Sequence, residues 1–214
     1  MKRVTETIWR DLLPLSPIFT TAQVARLSGV SLSNASRDLS GLATQGLITR
    51  IRRGLWAVTD HPDFSPYAVA PYLFVEPKRG YVSLLTAMNL HGMVEQIPHR
   101  IHIMTTSQRP PLKSPVATYE FHQLQQALFG GFSPYGEIGS FEMASPEKAL
   151  FDTIYLSARR GRRFSHLPEI HLDASFSEAQ MVRWIDLINH PRVRVAVKSK
   201  WDRMRSALEQ FRPA

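Results

Sequence analysis

Ser33, Asn34, Ser36 and Arg37 crowd into one short stretch, and Arg50, Arg52 and Arg53 follow a little further along the chain. Small hydroxyl side chains let a backbone come close to another molecule. Arg fits the acceptor edge of guanine, and Asn fits adenine. Clustered guanidinium groups neutralise phosphates. The chemistry this set can perform is recognition of a duplex: base edges read by the first group, the sugar-phosphate backbone held by the second. Thr21, Gln23 and Ser31, which stand at or near helix starts, complete the candidate DNA-binding residues. Asp38 and Ser40 close the first stretch, Asp38 being its one acid.

Other chemistry has weaker support. Asp63 followed by Glu76-Pro77-Lys78 imitates the carboxylate and lysine pattern of a metal-dependent nuclease. Proline is confined to edges and bulges of sheets, so Pro77 is misplaced for a core strand and catalysis ranks below binding. The eight histidines show no metal-ligand spacing: His99 and His102 fall on opposite faces of a strand, and His91 stands beside Gly92 at a helix end. Gly130-Gly131 lacks the Lys and Ser or Thr of a phosphate loop, and no Gly-x-Ser-x-Gly elbow occurs. No catalytic residue, metal or cofactor is expected.

The elements that would position the polar set can be read from periodicity. Ile8, Trp9, Leu12 and Leu13 make a helical stripe that Pro14 and Pro17 stop. Thr20 or Thr21 offers the cap of a second helix, with Val24 and Leu27 inward and Gly29 at its end. Ser31 caps a third, whose Leu32, Ala35, Leu39 and Leu42 define a buried face and which Gly46 closes. Leu47–Ile51 and Leu55–Val58 are β-prone runs around Arg52-Arg53-Gly54, a hairpin. Three helices and a hairpin form a winged helix-turn-helix, with the third helix free to enter the major groove.

Beyond it, Pro62, Pro66, Pro71 and Pro77 mark a linker or an irregular passage. Tyr81–His91 reads as a helix, Arg100–Thr105 and Ala117–His122 as strands, and Pro146–Leu156 as a helix with Ser145 as cap and Glu147 in its first turn. The expected fold is α+β: a winged helix-turn-helix over residues 1–65 and a mixed α/β domain over residues 66–214.

Composition agrees with this division. The chain has 214 residues, 43% of them apolar, and carries 26 Lys and Arg against 18 Asp and Glu, a formal charge of +8 that favours a polyanionic partner. Residues 1–60 hold eight basic and four acidic residues, a net of +4, so charge alone does not single out the first part. No apolar run nears the ~20 residues that span a bilayer, and the first ten residues lack the apolar segment of a secretory signal. With no cysteine there are no disulfides or thiolate sites, and a cytoplasmic location is expected.

Three segments, "RRGLWAV" after the helix-turn-helix, "YVSLLTAMNLHGMVEQIPHRI" and "ASPEKALFDTIYLSARRG", lie in order and resemble the AbiEi family of bacterial antitoxins, a likeness that spans nearly the whole chain. The resemblance implies an N-terminal winged helix that represses the protein's own promoter, and an antitoxin of a type IV toxin-antitoxin system that counteracts a nucleotidyltransferase toxin. It places the DNA-reading elements on Ser31–Arg37 and Arg50–Arg53. No short motif assigns the antitoxic activity to residues. "SPEKALFD" is explained by capping and by Ala149, Leu150 and Ile154 entering a core. The basic run Arg159-Arg160-Gly161-Arg162-Arg163 is a DNA contact, a toxin contact or a solvated loop. A stand-alone winged-helix regulator and a metal-dependent nuclease stay open as alternatives.

Overall fold

A computed structural model describes residues 2–75, 79–136, 140–160 and 167–210. The chain opens with α1 (Lys2–Glu6), which runs directly into a π-helical wind (Thr7–Leu12). There follow β1 (Ile18–Thr20), α2 (Thr21–Ser28), α3 (Leu32–Thr44), β2 (Thr49–Arg52) and β3 (Leu55–Ala57). The three strands form an antiparallel sheet in the order β1-β3-β2.

Capping sets both central helices. The Thr20 side chain accepts from the Gln23 amide while the Gln23 side chain accepts from the Thr20 amide, a reciprocal box at the start of α2. Gly29, at φ 65°, ends that helix in a conformation that costs glycine nothing. Ser31 accepts from the Asn34 amide and starts α3. Ala35, Leu39 and Leu42 then turn inward, onto Val4, Ile8, Phe19, Val24 and Trp56.

Several apolar positions fall elsewhere than periodicity suggests. Trp9 is 40% exposed, and Val4, Ile8 and Leu12 carry the first helix's contact instead. The wider winding, with Leu13 bonded back to Ile8, keeps four-residue steps on one side. Leu27 and Leu32 also face outward, at 48% and 60%, because α2 buries Ala25 and α3 begins its contact one turn later.

The passage expected as a linker or an irregular stretch is irregular and packed. Prolines forbid an α-helix there, but Pro66–Leu73 winds as a 3-10 segment that buries Ala68, Val69, Ala70 and Leu73. It lies against a second sheet, built from β4 (Gly80–Val82), β5 (Ile101–Thr105), β6 (Leu112–Lys113), β7 (Thr118–Gln123), β8 (Phe132–Tyr135) and β9 (Phe141–Ala144). The order is β6-β7-β5-β4-β9-β8, with β5–β7 and β4–β9 parallel and the other pairs antiparallel. Among the described residues, α4 (Leu84–Leu90), α5 (Pro146–Arg160), α6 (Glu178–Asp186) and α7 (Pro191–Gln210) accompany it. The architecture is mixed α+β.

Tyr81–His91 is not one helix. Its first residues form β4, in the middle of the sheet, and the helix begins only after Ser83. The strand expected at Arg100–Thr105 is β5, but its alternation is lost because all five of its residues are buried. Both faces are covered. Ile103 and Phe121 look toward Phe74, which meets Phe121 edge-on at 6.0 Å. Tyr81 reaches Asp152 of α5 on the other side. Across the expected boundary at residue 65, Ile18, Ile51, Leu55 and Ala57 share one apolar cluster with the second sheet, and the Tyr72 hydroxyl donates to the Ile18 carbonyl at 3.2 Å.

Candidate nucleic-acid interface

The side of α3 opposite Ala35 and Leu39 presents Ser33, Asn34, Ser36, Arg37 and Ser40, all exposed. Ser31 bonds Ser33 at 3.0 Å besides capping, and the Arg37 guanidinium reaches the Asn34 side-chain oxygen at 3.4 Å. Asn34 and Arg37 are therefore held beside one another, one turn apart, at the outer start of the helix. Ser40 turns its hydroxyl back to the Ser36 carbonyl and shows little but its stem.

The hairpin brings the three arginines together at one end of the small sheet, each in a different setting. Arg50 lies over the Trp56 ring at 5.5 Å. Arg52 donates to the Tyr72 carbonyl at 2.7 Å, which ties the hairpin to the 3-10 segment. Arg53 is exposed in the turn, and Gly54 at φ 80° lets that turn close. A register shift between Arg50 and Arg52 bends the strand there. Arg109, which sequence reading did not select, joins this group. It donates to the Leu73 carbonyl at 2.7 Å and lies over the rings of Phe74 and Phe121. Burial, then the charge of Arg52, lowers its proton affinity. Nothing in its local sequence marks Arg109, because the juxtaposition is tertiary.

Two of the expected contacts are engaged within the fold. Thr21 is 6% exposed, and its hydroxyl accepts from the Trp56 indole at 2.8 Å. It belongs to the core because β3 carries Trp56 across the start of α2. Gln23 is half-buried, with its side-chain oxygen committed to the Thr20 amide at 2.7 Å and the Thr20 hydroxyl at 2.9 Å. Capping chemistry uses it.

Elsewhere, a helical i,i+4 pair gathers polar groups from far along the chain. Lys148 and Asp152 form a fully buried ion pair at 2.5 Å on α5. The Tyr81 and Ser83 hydroxyls donate to the same carboxylate at 3.0 and 2.8 Å, and Lys148 lies 4.5 Å from the Trp184 ring. Burial lowers the Lys148 ammonium and raises the Asp152 carboxyl, with the pair's attraction opposing both shifts. The residue after Ser83, Leu84, holds φ 56°, a strained value at this strand-to-helix junction. Being closed to solvent, the cluster acts as a strut between β4 and α5.

Spacing along the chain shows no metal-ligand pattern among the histidines, yet His102 and His122 meet with Glu120 across two strands. His91 does more than end its helix, bonding the Ala144 carbonyl at 2.7 Å. Asp63 sits exposed in a turn next to His61, whereas Glu76–Lys78 and residues 161–163 of the basic run lie outside the described residues. No helix among the described residues is long and apolar enough to cross a membrane.

No curated protein matches the chain. Residues 10–59, the stretch that carries α2, α3 and the hairpin, match the family model described as transcriptional regulator, AbiEi antitoxin, and there the chain is similar to that family.

Proposed function

We propose that residues 1–65 work as a winged helix-turn-helix that binds double-stranded DNA at the protein's own promoter and represses it. The observation that carries this reading is the outward side of α3: Ser33, Asn34, Ser36 and Arg37 exposed together, while Ala35, Leu39 and Leu42 anchor the helix from behind. α3 then enters the major groove, and Arg50, Arg52 and Arg53 lie along phosphates. Within the same reading, residues 66–214 are the antitoxin part of a type IV system and counteract a nucleotidyltransferase toxin. The protein acts in the cytoplasm by occupying DNA rather than by catalysis. The match of residues 10–59 supports the regulatory half of this assignment.

The test is a fluorescence titration of the full chain with its upstream duplex and with a scrambled duplex. Asn34→Ala should cost about 1–3 kcal/mol of discrimination between the two, as expected for loss of one base-edge contact, and leave scrambled DNA little changed. Equal losses on both duplexes refute the placement of α3 in the groove. Co-expression with a nucleotidyltransferase encoded beside the gene should relieve its toxicity. Unrelieved toxicity would leave a stand-alone regulator.

A further inference from the structure

His102 lies on β5, and Glu120 and His122 lie on β7. In the parallel register His102 stands opposite Glu120 and Met104 opposite His122, so the three side chains share one face of the sheet, the face from which Tyr81 reaches α5. His102 Nδ1 and His122 Nε2 are 3.0 Å apart, and the donor atoms of all three residues lie within 4.8 Å of one another. The residues are 9%, 2% and 8% exposed for His102, His122 and Glu120. Arg100 donates to one Glu120 oxygen at 2.9 Å and orients the carboxylate.

We propose that His102, Glu120 and His122 bind a divalent transition-metal ion of the zinc class. A tetrahedral ion with bonds of about 2.0–2.1 Å sets its ligand atoms about 3.3 Å apart, close to the separation of the two ring nitrogens. Two imidazoles and one carboxylate suit zinc, and no thiolate is needed. The ion takes the place of the hydrogen between the rings, and the ring that donated it carries its proton on the other nitrogen instead. Two paired strands hold the ligands, so little ordering is left to the metal. His102 also lines a cavity of about 200 Å³ with His99 and Arg100, and a water would complete a tetrahedral set of four ligands. This inference is independent of what the N-terminal half binds.

The experiment is calorimetry of the full chain, stripped with chelator, titrated with Zn²⁺, alongside Co²⁺ absorption as a report of tetrahedral geometry. One equivalent should bind, with a rise in melting temperature. His122→Asn should weaken binding by more than about a hundredfold, since even outer partners of metal ligands are worth 10–100-fold. His190→Ala, on the exposed surface, should leave it unchanged. No binding by the unsubstituted chain, or binding unaltered by His122→Asn, overturns the proposal. Should His122→Asn not fold, the ring-nitrogen resonances of the unsubstituted chain decide. Zinc-dependent shifts at His102 and His122 support the site, and shifts confined to other histidines refute it.

Discussion

Replacing Arg53 with alanine, and separately Arg52, distinguishes a phosphate contact from a structural tie within the same turn. Arg53 is exposed beside Gly54, whereas Arg52 holds the Tyr72 carbonyl at 2.7 Å. Each phosphate neutralised contributes about 0.9 to the slope of log affinity against log salt. Raising salt from about 50 to about 200 mM is a fourfold change, so one lost contact narrows the gap between variant and parent by about 3.5-fold over that range. Arg53→Ala should show this reduction on promoter and scrambled duplexes alike, with an unchanged melting temperature. Arg52→Ala should weaken DNA binding and also cost about 1 kcal/mol of stability, the usual net value of a hydrogen bond. Anisotropy titrations at several salt concentrations, with thermal unfolding alongside, measure both. An Arg53→Ala slope equal to the parent's on both duplexes would refute the assignment of the hairpin tip to phosphate.

Two further expectations concern the interior. Lys148→Met strands the buried Asp152 carboxylate and should destabilise by about 3–5 kcal/mol in urea unfolding, with the double variant Lys148→Met/Asp152→Asn recovering part of that loss; a single-variant cost under about 1 kcal/mol would contradict the strut. Burial raises the phenol of Tyr119, and burial followed by the Asp152 carboxylate raises that of Tyr81. A folded-state value above the unfolded value of about 10 means that this stability is complete below about pH 10 and is lost as pH rises toward the folded value, by about 1.4 kcal/mol per unit for each tyrosine. Urea midpoints between about pH 9 and about pH 11 should therefore fall, and Tyr119→Phe should shallow the fall; a flat profile would count against burial of both phenols.

Helix starts and stops were legible because their chemistry is local. Ser31, Gly29, Gly46 and Ser145 act through bonds to residues within one turn, Pro146 acts through its fixed φ at the first helical position, and each stands where its type predicts. The polar side of α3 was legible for the same reason: the alternating four- and three-residue steps of Ala35, Leu39 and Leu42 leave only one side for Ser33, Asn34 and Arg37. What escaped was set by partners far along the chain. β1 is three residues long, and its only pattern is the pairing with β3. Burial of Thr21 depends on Trp56, and the tether of Arg52 depends on Tyr72.

The same division separates the candidate sites. Residue types and spacing along α3 and the hairpin by themselves set out a basic, hydrogen-bonding surface, because a helix face and a two-residue turn are defined by neighbours in sequence. The convergence of His102 with Glu120 and His122, the approach of Arg109 to Arg52, and the packing of the proline-rich passage arose only in three dimensions. Strand register and layer packing join residues whose separation along the chain carries no period, so only the assembled sheet could bring them together.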